Sequence, residues 1–105
     1  MERIDPQKLE ESAEKAAKLL KSMSHPSRLM VLCHLMDGER PVSSLNQVVP
    51  LSQSALSQHL AALRQAGLVA TRRESQVIYY RLNSDAVSGV IEALYQIYCN
   101  FNDKE

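Results

Sequence analysis

Apolar residues recur along most of this chain with the 3.6-residue period of helices, and over one stretch with the two-residue period of strands. The sharpest helical pattern is residues 51–64. There Leu56, Leu60 and Leu63 form one apolar stripe, while Ser54, Ser57, Gln58, Ala61 and Gln65 fall on the opposite face. Ser52 stands where an N-cap hydroxyl takes up an orphan amide, and Gly67 stands where a C′ glycine ends a helix. Four other segments have helical character: residues 6–23, 26–37, 44–49 and 84–101. The first is opened by Asp5 as cap and Pro6 in the first turn, with Leu9, Ala13, Ala16 or Ala17, Leu20 and Met23 as its stripe. In the second, Leu29, Leu32, Cys33 and Met36 share a face; Gly38 ends it. Pro41-Val42-Ser43 opens the third and Pro50 stops it. Asn83 or Ser84 caps the last, whose broad stripe is Val87, Val90, Ile91, Leu94, Ile97 and Tyr98.

Between Gly67 and Asn83 the period changes. Residues 68–73 and 77–82 are β-prone runs flanking a polar tip, Glu74-Ser75-Gln76, and in the second run Val77, Tyr79 and Arg81 alternate with Ile78, Tyr80 and Leu82. The predicted order is four helices, a two-stranded hairpin and a fifth helix. This is a mainly α winged helix-turn-helix, with the third and fourth helices as the turn pair.

The face opposite the leucines gives this arrangement a chemistry. A helix selected only for solubility favours Glu and Lys; this one presents Ser, Gln and Ala and no carboxylate. Hydroxyls and amides can donate to phosphate or read base edges, and small neighbours let the backbone approach a groove. Composition refines the picture without overturning it. The chain of 105 residues is the size of one domain, and its 12 Lys+Arg balance 12 Asp+Glu. The charge is unevenly spread, however: residues 51–83 hold Arg64, Arg72, Arg73 and Arg81 against Glu74 alone, and residues 84–105 hold Lys104 against Asp85, Glu92, Asp103 and Glu105. A modest basic centre suits phosphate contact by two copies acting together. The terminal helices have more apolar face than so small a core requires, so a homodimer on a near-palindromic operator is expected, its reading helices ~34–36 Å apart. No run is long enough to span a bilayer and no signal peptide is evident, so a cytoplasmic protein without membrane contact is expected.

Three segments together resemble the ArsR-type family of bacterial repressors. They are Leu19-Leu20-Lys21-Ser22-Met23-Ser24-His25-Pro26-Ser27-Arg28-Leu29, then Leu51-Ser52-Gln53-Ser54-Ala55-Leu56-Ser57-Gln58-His59-Leu60, then Gly67-Leu68-Val69 with Ile78-Tyr79-Tyr80. The resemblance covers residues 9–99. It implies a dimeric winged-helix repressor released from double-stranded DNA by an inducer. By resemblance Gln53, Ser54, Ser57 and Gln58 meet DNA, as do Arg73, Ser75 and Gln76 around the wing tip; Arg64 and Arg72 join them on charge. Many members sense metals through a cysteine pair on the second helix or through histidines and carboxylates on the last. Here the second helix holds a single cysteine in Val31-Leu32-Cys33-His34-Leu35-Met36, and the last has Asp85 and Glu92 but no histidine. A closed site needs three or four ligands, so no metal or other cofactor is expected, with a metal bound between subunits as the alternative.

Cys33 and Cys99, 66 positions apart, resemble the thiols of the sulfide-responsive branch containing the SqrR-, BigR- and HlyU-like regulators. That resemblance implies that reactive sulfur species or oxidants join the two by a polysulfide or disulfide and that the oxidised form leaves DNA. Taken alone, Cys33 on its apolar stripe reads as a buried packing residue. Cys99 lies off the main stripe in a last turn. A direct disulfide requires Cα atoms within about 7 Å, while a polysulfide tolerates a longer gap. Neither thiol has a neighbouring base, oxyanion-stabilising glycine loop or cofactor motif, which sets an enzyme aside. His59 projects nearer the core than the groove and is expected to pack or hydrogen-bond there; His25, before Pro26, is expected to cap or lie on the surface.

Overall fold

The computed structural model describes residues 5–99. The elements are α1 (Pro6–Met23), α2 (Pro26–Leu35), β1 (Arg40–Pro41), α3 (Val42–Val48), α4 (Gln53–Gln65), β2 (Val69–Glu74), β3 (Val77–Leu82) and α5 (Asp85–Tyr98). This is the expected order with one addition. β1 was not anticipated: its two residues, one a proline, are too few to show a period. It pairs Arg40 with Tyr80 and Pro41 with Tyr79, giving an antiparallel sheet in the order β1-β3-β2. A proline suits this position because β1 is an edge strand. Smaller boundary shifts follow local chemistry. α2 ends at Leu35, two residues early; α3 starts at Val42, directly after Pro41. The hairpin tip is only Ser75-Gln76, with Glu74 paired to Val77, and Ser75 takes φ 60°, the left-handed conformation a tight turn demands. Phe101, the expected end of the last helix, lies outside the described residues.

Three caps explain where the helices around the candidate site begin. The Ser52 hydroxyl accepts from the Ala55 amide at 3.1 Å, and the Ser84 hydroxyl accepts from Val87 at 3.2 Å. His25 Nδ1 accepts from the Ser27 amide at 3.1 Å. Asp5 is the N-cap of α1, but its side chain makes no cap hydrogen bond. α4 ends as its glycine foretold: Gly67 has φ 81°, and the Leu68 amide donates to the Leu63 carbonyl at 3.0 Å.

The core is formed by Met23, Val31, Leu32, Leu35, Leu45, Val49, Leu56, Leu60, Leu63, Leu68, Val69, Val87 and Ile91. Every element from α1 to α5 except β1 and β3 contributes to it, and α4 is anchored there along one face by its three leucines. α2 differs from expectation. Its fully buried residues are Ser27, Val31, Leu32 and Leu35, while Leu29 and Met36 are only half-buried and Cys33 is exposed. The helix is turned so that the line through Leu29, Cys33 and Met36 faces the rim beside α5. α1 buries only Met23, and Leu9 and Leu20 are each 51% exposed. No helix among the described residues is long and apolar enough to cross a membrane.

Candidate nucleic-acid interface and thiol pair

α4 separates its residues as its pattern demanded. Leu56, Leu60 and Leu63 are buried, and Gln53, Ser54, Ser57, Gln58, Ala61, Arg64 and Gln65 are all exposed. The first turn of α4 follows the Ser52 cap, so Gln53 and Ser54 stand at the positive end of the helix dipole. Arg73, Ser75 and Gln76 are exposed on the wing.

Arg72 is held differently from the other arginines. Its Nε donates to both carboxylate oxygens of Glu39 at 3.0 and 2.8 Å, and its Nη1 donates to Glu74 at 2.8 Å. The guanidinium also lies 4.5 Å from the ring centroid of Tyr79, its cross-strand partner. Two carboxylates hold this cation charged, its pKa pushed further above the usual arginine range. Arg72 therefore braces the wing against Glu39, in the loop that follows α2. Sequence spacing could not reveal this, since Glu39 and Arg72 are 33 positions apart.

His59 ties α4 to the turn between α1 and α2. Its Nδ1 accepts from Arg28 Nε at 3.0 Å, Arg28 Nη1 donates to the Ser22 carbonyl at 2.9 Å, and the His25 ring lies 4.2 Å away. Burial, then His25 and Arg28, lower the pKa of His59 from the ordinary 6.5. A proton at Nδ1 would remove the acceptor Arg28 uses, so the neutral ring is the one that fits.

Both cysteines are free and exposed, which corrects the expectation of a buried Cys33. They share one apolar pocket of about 200 Å³ between α2 and α5, lined by Leu29, Cys33, Ile91, Leu94, Tyr95, Tyr98 and Cys99. Cys99 comes there as the C-cap of α5. A second pocket of about 430 Å³ adjoins the first and is lined by Cys33, Met36, Asp37, Ile91, Glu92 and Tyr95. Partial burial raises the Cys33 thiol above its ordinary 9.0, and the charge of a nearby Cys99 thiolate raises it further. Among the described residues no three His, Cys, Asp or Glu side chains are grouped so as to hold a metal ion.

Comparison with known proteins places this geometry. Residues 25–71 match the model of the bacterial regulatory protein, arsR family. The chain is 49% identical over 96 residues to the transcriptional activator HlyU of Vibrio cholerae, covering 91% of this chain and 89% of that one. It is 47% identical over 91 residues to the biofilm growth-associated repressor of Agrobacterium fabrum, covering 87% and 78%. The solved structure of reduced HlyU from Vibrio cholerae superposes with a TM-score of 0.85 over 90% of this chain and 99% of that chain, at 49% identity. With an exposed polar helix, a hairpin wing and these relatives, the chain belongs to the ArsR family of DNA-binding transcriptional regulators, in its SqrR-, BigR- and HlyU-like branch.

Proposed function

We propose that this chain acts as a homodimeric repressor whose hold on a near-palindromic operator ends when Cys33 and Cys99 are joined by a polysulfide or disulfide. The observation that carries this reading is the meeting of two thiols from α2 and α5 in a single apolar pocket. In the reaction the two thiols give up two electrons and two protons. These reduce sulfur–sulfur bonds of the incoming donor: a disulfide forms when the donor leaves wholly as hydrogen sulfide or thiol, and a polysulfide bridge forms when its inner sulfur stays between the cysteines and its outer groups leave as hydrogen sulfide or thiol. A reducing cytosol, the expected compartment, keeps structural disulfides rare, so a paired-thiol site suits a reversible switch.

The rest of the molecule fits such a switch. Leu9 and Leu20 on α1, with Tyr95, Ile97 and Tyr98 on α5, are large apolar side chains 47–73% exposed, the surface a second copy would cover. Gln53, Ser54, Ser57 and Gln58 would enter the major groove, Arg64 and Arg73 would meet phosphate, and Ser75 and Gln76 would lie over the flanking groove. Arg72 could reach phosphate only by giving up Glu39, so its contribution is chiefly to hold the wing. α2 packs on α4, α5 and β3, and the loop after it passes through Glu39 into β1. A shift of α2 against α5 at the thiols is thereby delivered to the reading helix and the wing.

The test is a gel-shift titration of the upstream operator with reduced and polysulfide-treated protein, paired with intact mass and peptide mapping. Treatment is expected to weaken binding and to add bridging sulfur between Cys33 and Cys99, and Cys99→Ser is expected to abolish both. An equally responsive Cys99→Ser protein, or unchanged affinity after bridging, removes the switch. The operator-binding half has its own test: Gln53→Ala should reduce discrimination by about 1–3 kcal/mol where that amide reads a base.

A further inference from the structure

We propose that Asp37 and Glu92 act as a charge filter at Cys33, slowing anionic sulfur donors and oxidants, inorganic polysulfide included, relative to neutral or cationic ones of the same intrinsic reactivity. The inference rests on Cys33 being the reactive thiol of the switch described above, and adds the class of reagent that reaches it. Three observations support it. The two adjoining pockets share Cys33, Ile91 and Tyr95, so the thiol sits where an apolar recess meets a wider mouth. The mouth contributes two carboxylates, Asp37 and Glu92, and no lysine, arginine or histidine lines either pocket. Asp37 lies 3.7 Å from Arg40, but that side chain is 79% exposed and the pair is an i,i+3 surface contact, so neutralisation is incomplete. Glu92 has no cationic partner among the described residues.

The chemistry makes this arrangement selective. A thiolate attacks a sulfur–sulfur bond in line, so the leaving group departs on the far side of the attacked sulfur. The recess beyond Cys33 is lined by Leu29, Leu94 and Tyr98 and offers no polar surface to solvate a charged group. A charged portion of the donor therefore lies in the mouth, beside Asp37 and Glu92. An anionic donor meets like charge there, while a neutral one is indifferent and a cationic one is attracted. Two unit charges a side-chain length away in water, partly screened, separate cationic from anionic reagents by about five- to tenfold at low ionic strength.

The experiment uses the full chain with Cys99→Ser, leaving Cys33 as its sole thiol. It is treated with three methanethiosulfonates of similar size, bearing aminoethyl, ethyl or sulfonatoethyl groups. In each case the Cys33 thiolate forms a disulfide with the transferred sulfur, the reagent's sulfur–sulfur bond breaks, and methanesulfinate leaves with the electron pair. Modification is followed by intact mass, and each rate is divided by the rate of a small free thiol at the same pH. The expected order is cationic, neutral, anionic, spanning about five- to tenfold and narrowing with added salt. Asp37→Asn with Glu92→Gln should bring the three normalised rates together, each single substitution doing so in part. Rates independent of charge, or a preference that survives both substitutions, overturn the filter. These outcomes are separable from the switch itself. A wild-type protein that bridges its thiols and leaves DNA without charge selectivity loses only the filter. A chain with charge selectivity whose DNA affinity ignores its thiols loses only the switch.

Discussion

Ser52 allows the stability of α4 and its approach to DNA to be separated in one position. Its hydroxyl accepts from the Ala55 amide at 3.1 Å, and the residue is exposed, so the bond is made in competition with water. Ser52→Ala should therefore cost the lower part of the usual capping range, about 0.5–1 kcal/mol per subunit, and Ser52→Gly only a few tenths. Ser52→Asp keeps an acceptor at the cap and adds a charge that the helix N-terminus favours, so it should be at least as stable as the native chain. On DNA the order is expected to invert. With Gln53 and Ser54 in the groove, residue 52 lies near the phosphate backbone, and a new carboxylate there costs about 1 kcal/mol in water. A dimer carries two, so Ser52→Asp should bind about thirtyfold more weakly at low salt. Urea denaturation measures the first quantity, and fluorescence anisotropy with a labelled operator across a salt series measures the second. Ser52→Asp binding as tightly as the native protein would refute the placement of this helix end at the backbone. Ser52→Ala as stable as the native protein would refute the cap.

Three further outcomes are expected. Leu60→Ala, at a position 1% exposed in the middle of the core, should destabilise by about 2–5 kcal/mol in urea denaturation, with binding lost in step with folding. Arg73→Ala should weaken specific and random duplexes alike and lower the salt slope by about one per phosphate contact removed, read by anisotropy over a salt range. The His59 pKa is lowered in the folded chain, so the unfolded chain binds the extra proton first as pH falls. Stability is full above the unfolded value of 6.5 and is lost as pH falls through the lower folded value. Relative to His59→Gln, which keeps an acceptor for Arg28 without titrating, the native protein should lose stability between pH 7.5 and 5.5, so its denaturation midpoint minus that of the variant should fall. A pH-independent difference would show that the His59 ring does not titrate against folding.

Local chemistry made much of the molecule legible in advance. Leu56, Leu60 and Leu63 could only bury one side of α4, and that burial alone turns Gln53, Ser54, Ser57 and Gln58 outward. Ser52, Ser84 and Gly67 mark helix ends through interactions that span three to five residues, which is why they could be read from spacing. The alternating run from Val77 to Leu82 likewise announced its strand. What escaped was whatever depended on distant parts of the chain. α2 is apolar on nearly every side, so its own pattern could not choose which line of residues faced inward. Packing on α4, α5 and β3 chose Ser27, Val31 and Leu35 and left Cys33 at the rim. The brace from Arg72 to Glu39 and the pairing of Arg40 with Tyr80 likewise join residues tens of positions apart.

The amino-acid order thus determined which segments are helices, where α4 and α5 begin and which face α4 shows, because hydrogen bonds and side-chain periodicity act within a few residues. Only the tertiary structure decided that two cysteines 66 positions apart share one pocket with carboxylates at its mouth. Their neighbourhood is set by how α2 and α5 cross, and that follows from the packing of the whole core rather than from either segment's own pattern.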